Sequence, residues 1–211
     1  FFLGNVGTQT AALGASGYIE GGGVTANVEA YDGSSWTEGP NVSTARFGSG
    51  GCGTSTAALI AGGREPSFSA KSEEWNGTAW AEGNDLAAVK TIEGAMVGSQ
   101  TASVAFGGNT PPRTANVEEY NGTSWSEVNN LPAATNASSA FGTQTSAVNA
   151  GGSTGSAVTT AVIYDGTNFS ATGSLGTARG TAGQAGTNQN SGMIFGGSPY
   201  SNLTEEFNLS I

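Results

Sequence analysis

Apolar residues occur along the chain in short runs that are separated by segments rich in Gly, Thr, Ser and Asn. The runs ALIAGG at 58–63, SVAFGG at 103–108 and AVNAGG at 147–152 each end in a glycine pair, whereas ANVEEY at 115–120 ends in an aromatic residue. Short runs with β-branched and aromatic residues, bounded by glycine-containing turns, predict strands and not helices. We therefore expect an all-β fold.

One phrase recurs through the whole sequence. It reads GTQTAAL, GTSTAAL, GSQTASV, GTQTSAV and GTNQNSGM, and the copies begin at residues 7, 53, 98, 142 and 186, a period of about 45. A period of this length is typical of the four-stranded blade of a β-propeller. The sequence predicts a single propeller domain over 1–211, built of units 1–44, 45–90, 91–135, 136–178 and 179–211.

Each unit resolves into four segments. A first segment of small residues leads through the recurring phrase into a second strand, a variable loop leads to a third strand, and an Asp-Gly or Asn-Gly turn at 32–33, 76–77, 121–122 or 165–166 leads to a fourth. Small residues suit an innermost strand because such strands crowd around the propeller axis. The fifth unit lacks a clear fourth strand, so we expect a five-bladed propeller whose last blade is incomplete. Either this blade has three strands, or a segment from outside it completes the sheet; a neighbouring subunit that pairs with the open edge is one such segment and would give an oligomer.

Aromatic residues recur as pairs around these turns. The pairs are Tyr31/Trp36, Trp75/Trp80, Tyr120/Trp125 and Tyr164/Phe169. A hairpin with a two-residue turn brings such positions close together across its two strands. We predict that they pack each blade against its neighbour, so that Trp36, Trp80 and Trp125 are structural positions and not sugar-binding platforms.

A glycine pair, then an aromatic residue, a tight turn and a second aromatic residue resemble the kelch repeat. The glycine pairs are Gly62-Gly63, Gly107-Gly108 and Gly151-Gly152. An arginine precedes the first strand at Arg46 and Arg179, and Lys90 and Asn136 replace it in the other two units. The sequence pattern GTQTAAL…GG…EYNGTSW is similar to the kelch-like repeats in structural and tail-associated proteins of marine tailed bacteriophages. The resemblance implies a kelch-like propeller and a virion component.

Charge and composition exclude several classes of function. The sequence has 6 Lys and Arg against 16 Asp and Glu, a net charge of −10, so we expect binding neither to nucleic acid nor to an anionic membrane surface. No apolar run approaches the roughly eighteen residues of a membrane-spanning helix, so we expect no membrane insertion. Histidine is absent and Cys52 is the one cysteine, which removes the usual catalytic bases, triads and thiolate metal sites. We expect no enzymatic activity and no cofactor or metal, with calcium left open for so acidic a chain.

Adjacent carboxylates recur at Glu73-Glu74, Glu118-Glu119 and Glu205-Glu206. Neighbouring residues on a strand point to opposite faces, so these pairs do not have the geometry of a glycosidase. We interpret them as solvated or hydrogen-bonded structural positions.

Recognition is expected on the face that carries the variable loops, which include residues 64–70 and 109–115. The candidate contact residues are Arg64, Phe68 and Arg113. The predicted function is that of a non-enzymatic virion structural protein, associated with the surface or the tail, that binds another virion protein or a host-surface glycan. The alternatives are a secreted bacterial carbohydrate-binding or adhesin module, and an enzyme that uses carboxylates in the central funnel. The first two place the protein in the virion or outside the cell.

Overall fold

The computed structural model describes residues 4–208, and this part of the chain consists of β-strands, turns and loops. Within it there is no helix long and apolar enough to cross a membrane. The strands form five antiparallel sheets, and in each sheet neighbouring strands follow one another in the sequence. Each sheet is one blade of a five-bladed β-propeller, as the repeat predicts.

Four blades have four strands each. Blade 1 contains β1 (Gly4–Thr8), β2 (Ala11–Ile19), β3 (Gly23–Tyr31) and β4 (Trp36–Gly39). Blade 2 contains β5 (Gly50–Thr54), β6 (Ala57–Ala61), β7 (Ser72–Trp75) and β8 (Trp80–Glu82). Blade 3 contains β9 (Met96–Ser99), β10 (Ala102–Phe106), β11 (Val117–Tyr120) and β12 (Trp125–Glu127). Blade 4 contains β13 (Ser139–Thr143), β14 (Ser146–Ala150), β15 (Ala161–Tyr164) and β16 (Phe169–Ala171).

Blade 5 contains β17 (Gly183–Asn188), β18 (Ser191–Phe195) and β19 (Thr204–Asn208). Over the described residues this sheet has three strands, in the order β17, β18, β19. The absence of a fourth strand in the described part agrees with the sequence-based prediction for the last blade.

The first strands of the blades lie at the centre. They pack side by side in chain order, β1 on β5, β5 on β9, β9 on β13 and β13 on β17. Their small residues have a steric reason, because a Cβ added at Gly50 of β5 would lie 2.8 Å from both Ile92 Cγ2 and Met96 Cβ. The prediction that crowding near the axis selects small residues holds at Gly50, whereas β9 and β13 also contain the larger residues Met96 and Phe141.

The recurring phrase joins neighbouring blades as well as neighbouring strands. In blades 1 to 4 the first two residues of the phrase, Gly and then Thr or Ser, end the first strand, and the next two residues form the turn. The strand therefore reaches further into the phrase than the sequence pattern predicts. The turn glutamine of blade 4, Gln144, donates from Nε2 to the carbonyl oxygens of Ser103 and Tyr120 in blade 3, at 3.2 and 3.0 Å. Gln100 of blade 3 makes the same two contacts with Ala58 and Trp75 of blade 2, at 3.0 and 2.7 Å.

The hairpins between third and fourth strands differ from the predicted two-residue turn. In blade 1, residues 32–35 separate Tyr31 from Trp36, and these two residues pair directly in the register. Asp32 Oδ1 accepts from the backbone N–H groups of Ser34 and Ser35 at 2.8 Å, and the hydrogen bonds from Ser35 and Ser34 together lower the Asp32 pKa to about 2. The side chain thus closes a longer turn than the Asp-Gly signal alone indicates.

The four aromatic pairs still lie together across these hairpins, as predicted, with ring centroids between 4.8 and 5.4 Å apart. Trp80 and Trp125 also pack against the hydrophobic core clusters between blades. Trp36 in blade 1 is 54 % exposed.

Candidate binding surface

Four side chains form a continuous cluster on the variable-loop face. The Arg64 guanidinium carbon lies 5.8 Å from the ring centroid of Phe47 and 5.4 Å from that of Phe68. The ring of Tyr18 meets Phe47 edge to face at 5.8 Å. We call Tyr18, Phe47, Arg64 and Phe68 the arginine–aromatic cluster.

Backbone pairing positions this cluster. Arg64 follows the glycine pair that ends the second strand of blade 2, and its N–H donates to the Phe47 carbonyl oxygen at 2.9 Å. Arg64 also bridges to Phe68 on the other side of the loop. Tyr18 comes from blade 1, where β2 and β3 continue past the position of the glycine pair. Two adjacent blades therefore contribute to one patch.

The cluster presents a cation between aromatic rings at the surface. Arg64 is exposed and Tyr18 is 41 % exposed. Arg64 Nε donates to the Pro66 carbonyl oxygen at 3.4 Å, and within residues 4–208 its two Nη groups have no hydrogen-bond partner. Each ring holds the guanidinium by a cation–π contact and limits its motion. The remaining N–H groups can donate to a carboxylate, a sugar hydroxyl or a carbonyl oxygen of a ligand.

Arg113 lies apart from this cluster. It occupies in blade 3 the loop position that Phe68 occupies in blade 2. Its Nε donates to Asn136 Oδ1 at 2.6 Å, and Asn136 Nδ2 donates to Glu93 Oε2 at 3.3 Å. Of the three candidate contact residues, the structure thus brings Arg64 and Phe68 together and places Arg113 in a link between blades 3 and 4.

Sequence reasoning missed Phe47 and Tyr18. Phe47 belongs to the link into blade 2, and its nearness to Arg64 depends on a backbone bridge between segments that are far apart in the sequence. A comparison of the repeats offers one signal, since the positions that correspond to Phe47 are Thr91, Asn136 and Gly180. A bulky aromatic residue at a position that other blades fill with small or polar residues indicates a local role.

A cavity of about 770 Å³ lies on the axis of the propeller and is lined by the first strands of all five blades. Its lining consists of backbone, apolar residues that include Met96 and Phe141, and uncharged polar side chains such as Gln144 and Gln184. Cys52 is the ionisable side chain in this lining, and burial raises the pKa of its thiol to about 12. The thiol donates to the Ser99 carbonyl oxygen at 3.4 Å. These contacts give Cys52 a packing role between blades.

The glutamate pairs are structural positions, as predicted, and they lie away from the axial cavity. Their first members form ion pairs with the cation that precedes each blade: Arg46 with Glu73 at 3.0 Å, Lys90 with Glu118 at 2.9 Å, and Arg179 with Glu205. The first two ion pairs are fully buried. Blade 4 replaces both partners, with Thr135 at the cation position and Val162 at the glutamate position.

The second members face the neighbouring blade. Glu74 accepts a hydrogen bond from the Tyr120 hydroxyl, and Glu119 accepts one from the Tyr164 hydroxyl at 2.9 Å. Within residues 4–208, no group of three or more Cys, Asp or Glu side chains has the arrangement of a metal site. The carboxylates of Glu73, Glu74, Glu118, Glu119 and Glu205 therefore join strands and blades, whereas Glu206 is exposed.

Comparison with known proteins adds no further identification, since neither a protein family nor a curated protein matches this chain.

Proposed function

We propose that this protein is a non-enzymatic binding component of a virion, on its surface or in its tail, and that it uses the variable-loop face to contact another virion protein or a host-surface glycan. The observation that carries the proposal is Arg64, held between Phe47 and Phe68 at the surface. Arginine and aromatic residues are the side chains most often responsible for binding energy at protein interfaces. Aromatic faces beside hydrogen-bond donors also suit a sugar ring, which has apolar faces and hydroxyl edges.

The scaffold supports the same proposal. The blades are held at fixed positions by the hydrogen bonds of Gln100 and Gln144, by buried ion pairs and by tyrosine–glutamate hydrogen bonds. The loops between second and third strands, in contrast, vary from blade to blade. A rigid repeat scaffold with variable loops is a common basis of recognition. The proposed location in a virion rests on the similarity of the repeat sequence to kelch-like repeats of phage structural proteins.

The binding experiment uses the wild-type chain and three variants on a glycan array and in pull-downs with purified virion proteins. We expect Arg64→Ala and Phe68→Ala to weaken binding at least about tenfold, as loss of an anchor residue does. Arg113→Ala is the matched control, because it removes an exposed arginine from the same face without touching the cluster. Equal losses in all three variants, or unchanged binding in the two cluster variants, would contradict the assignment of this surface.

The location is tested separately by mass spectrometry of purified particles. Peptides of this chain in the particles support the virion component. Their presence only in the culture medium supports the secreted adhesin or carbohydrate-binding module instead.

A further inference from the structure

Arg64 is the cation of this protein that lacks an acidic partner. The chain has 6 lysine and arginine residues, and four of them form ion pairs with glutamates. Arg113 is linked to Glu93 through the Asn136 amide. Among residues 4–208, no carboxylate oxygen lies within 4.0 Å of an Arg64 nitrogen, not even that of Glu65, the next residue in the chain. The four ion pairs are Arg46–Glu73, Lys71–Glu82, Lys90–Glu118 and Arg179–Glu205.

The free hydrogen-bonding groups of Arg64 suit an acceptor with two oxygens. Its Nε–H donates to the Pro66 carbonyl oxygen at 3.4 Å, so the two Nη groups at the end of the side chain remain. The rings of Phe47 and Phe68 lie 5.8 and 5.4 Å from the guanidinium carbon and restrict its motion, which reduces the entropy lost on binding. Two Nη groups in one plane match the two oxygens of a carboxylate, whereas a hydroxyl or a carbonyl oxygen uses only part of this fork.

The fold does not require an arginine at this position. The backbone bridge that Arg64 makes to Phe47 recurs in blades 3, 4 and 5, where the residues equivalent to Arg64 are Asn109, Ser153 and Ser198. These loops form the same bridge with small or uncharged side chains. The arginine of blade 2 is therefore better explained by a ligand than by the structure of the loop.

The charges around Arg64 favour a ligand with few negative charges. Glu65 is exposed in the same loop, and Glu20 is exposed in the turn that follows Tyr18. The chain as a whole has a net charge of −10. Repulsion at long range therefore opposes a partner that carries many carboxylates, such as a segment rich in Asp and Glu. A single carboxylate gains the contact with Arg64 and meets little of this repulsion.

Aromatic surface lies next to the cation. Phe68 is partly buried, so some of its ring is accessible, and Tyr18 is 41 % exposed. Binding sites for small ligands combine apolar and aromatic surface with a few polar groups that fix the orientation of the ligand. A sugar ring has C–H groups on its faces that suit an aromatic ring, and a carboxylated sugar adds the acceptor that suits Arg64.

We propose that Arg64 binds the carboxylate of a single acidic sugar, a uronic or sialic acid, at the end of an otherwise neutral glycan, with the sugar ring against Phe68. This ligand belongs to the surface already proposed for binding, and its assignment rests on that proposed function. The site occurs once in each chain, since the equivalent positions in blades 3 to 5 carry no charge.

The test compares two oligosaccharides that differ only in their terminal sugar, glucuronic acid or glucose, by isothermal titration calorimetry. The wild type should bind the glucuronic acid probe about tenfold more tightly or better, as hydrogen bonds between two charged groups allow. Arg64→Gln should bind both probes equally. Arg64→Lys keeps the charge but not the fork, so it should lose most of the preference. Arg113→Gln is the matched control: it removes an exposed arginine from the same face and should keep the full preference.

The contrary results separate this ligand from the proposed function. Equal binding of both probes by the wild type, lost in Phe68→Ala, would overturn the acidic sugar and still support a glycan-binding surface. Binding of a glutamate-rich peptide but of neither probe would identify a protein partner and overturn the sugar. Binding of purified virion proteins that depends on Arg64, without binding of either probe, would do the same. No binding in any of these assays would overturn both proposals.

Discussion

The Tyr164 hydroxyl in blade 4 donates a 2.9 Å hydrogen bond to the Glu119 carboxylate in blade 3. Tyr164 is fully buried and Glu119 is partly buried, so the donor side of this bond is shielded from water. A hydrogen bond to a charged acceptor is stronger than one between neutral groups, and burial strengthens it further. At the next contact, Phe207 has no hydroxyl and packs in the same cluster as Ile163. The residue in the preceding blade, Glu119 or Ile163, thus determines whether tyrosine or phenylalanine suits the third-strand aromatic position of the next blade.

Replacing Tyr164 by Phe should lower the free energy of unfolding by about 1.5–3 kcal/mol, since Glu119 loses a donor in a partly buried site. The double variant Tyr164→Phe/Glu119→Ile copies the contact between blades 4 and 5 and should recover part of this loss. Urea denaturation measures both values. A double variant that is less stable than the single one would contradict the view that the residues of successive blades are matched in polarity at this contact.

High pH should weaken the same contacts. Burial, followed by the hydrogen bonds to Glu74 and Glu119, raises the pKa of Tyr120 and Tyr164 above the ordinary value of 10.0. Because the folded-state pKa is raised, this contribution to stability is complete below about pH 10 and is lost as the pH rises through the folded-state pKa.

The measurement compares the wild type with Tyr120→Phe/Tyr164→Phe in urea denaturation from pH 8 to pH 12. The stability advantage of the wild type should shrink from about pH 10 upward, because only its unfolded state releases these two protons easily. A constant difference over this range would show that the two hydroxyls titrate alike in both states.

The repeat made the architecture predictable from sequence, because four similar units give the same pattern of glycine pairs, aromatic pairs and small first strands. Ser16 shows which structural details the repeat does and does not predict. It replaces the first glycine of the pair at a φ of 61°, and its hydroxyl oxygen accepts from the Arg46 N–H at 2.8 Å and lies within hydrogen-bond distance of the Thr25 and Arg46 carbonyl oxygens, to one of which it donates. The position was recognisable from its spacing, but the compensating hydrogen bonds depend on the fold.

The contacts between blades were harder to predict. The sequence shows a column of glutamates and a column of aromatic residues, but it does not show that a residue in one unit faces the next unit and not its own. A comparison of successive repeats supplies the missing signal. A unit with Glu119 before its third-strand aromatic residue precedes a unit with Tyr164 at the aromatic position, whereas the unit with Ile163 precedes one with Phe207. The arginine–aromatic cluster has no such signal for Tyr18, because β2 and β3 are longer in blade 1 than their counterparts in other blades.

Removal of one partner of the buried ion pair in blade 3 should destabilise the fold. The Lys90 ammonium lies 2.9 Å from a Glu118 carboxylate oxygen, and both side chains are inaccessible to solvent. Glu118→Gln leaves Lys90 uncompensated and should lower the free energy of unfolding by about 3–5 kcal/mol.

The control for this experiment is Lys90→Met/Glu118→Leu, which removes both charges at similar volume. It should be markedly more stable than Glu118→Gln, since blade 4 already places the uncharged residues Thr135 and Val162 at these positions. If Glu118→Gln is as stable as the wild type, the ion pair does not hold the blade in the way that the structure indicates.

The second glycine of the pair in blade 3 should tolerate no side chain. Gly108 has a φ of 118°, and a Cβ there would lie 2.3 Å from the Thr91 carbonyl oxygen in the link between blades 2 and 3. Gly108→Ala should therefore cost about 2 kcal/mol or more, through backbone strain and the displacement of that link. Gly173→Ala is the matched control, because a Cβ at Gly173 meets no atom within 4 Å. Thermal unfolding of both variants measures the difference, and equal melting temperatures would mean that the link into blade 3 can move away without loss of packing.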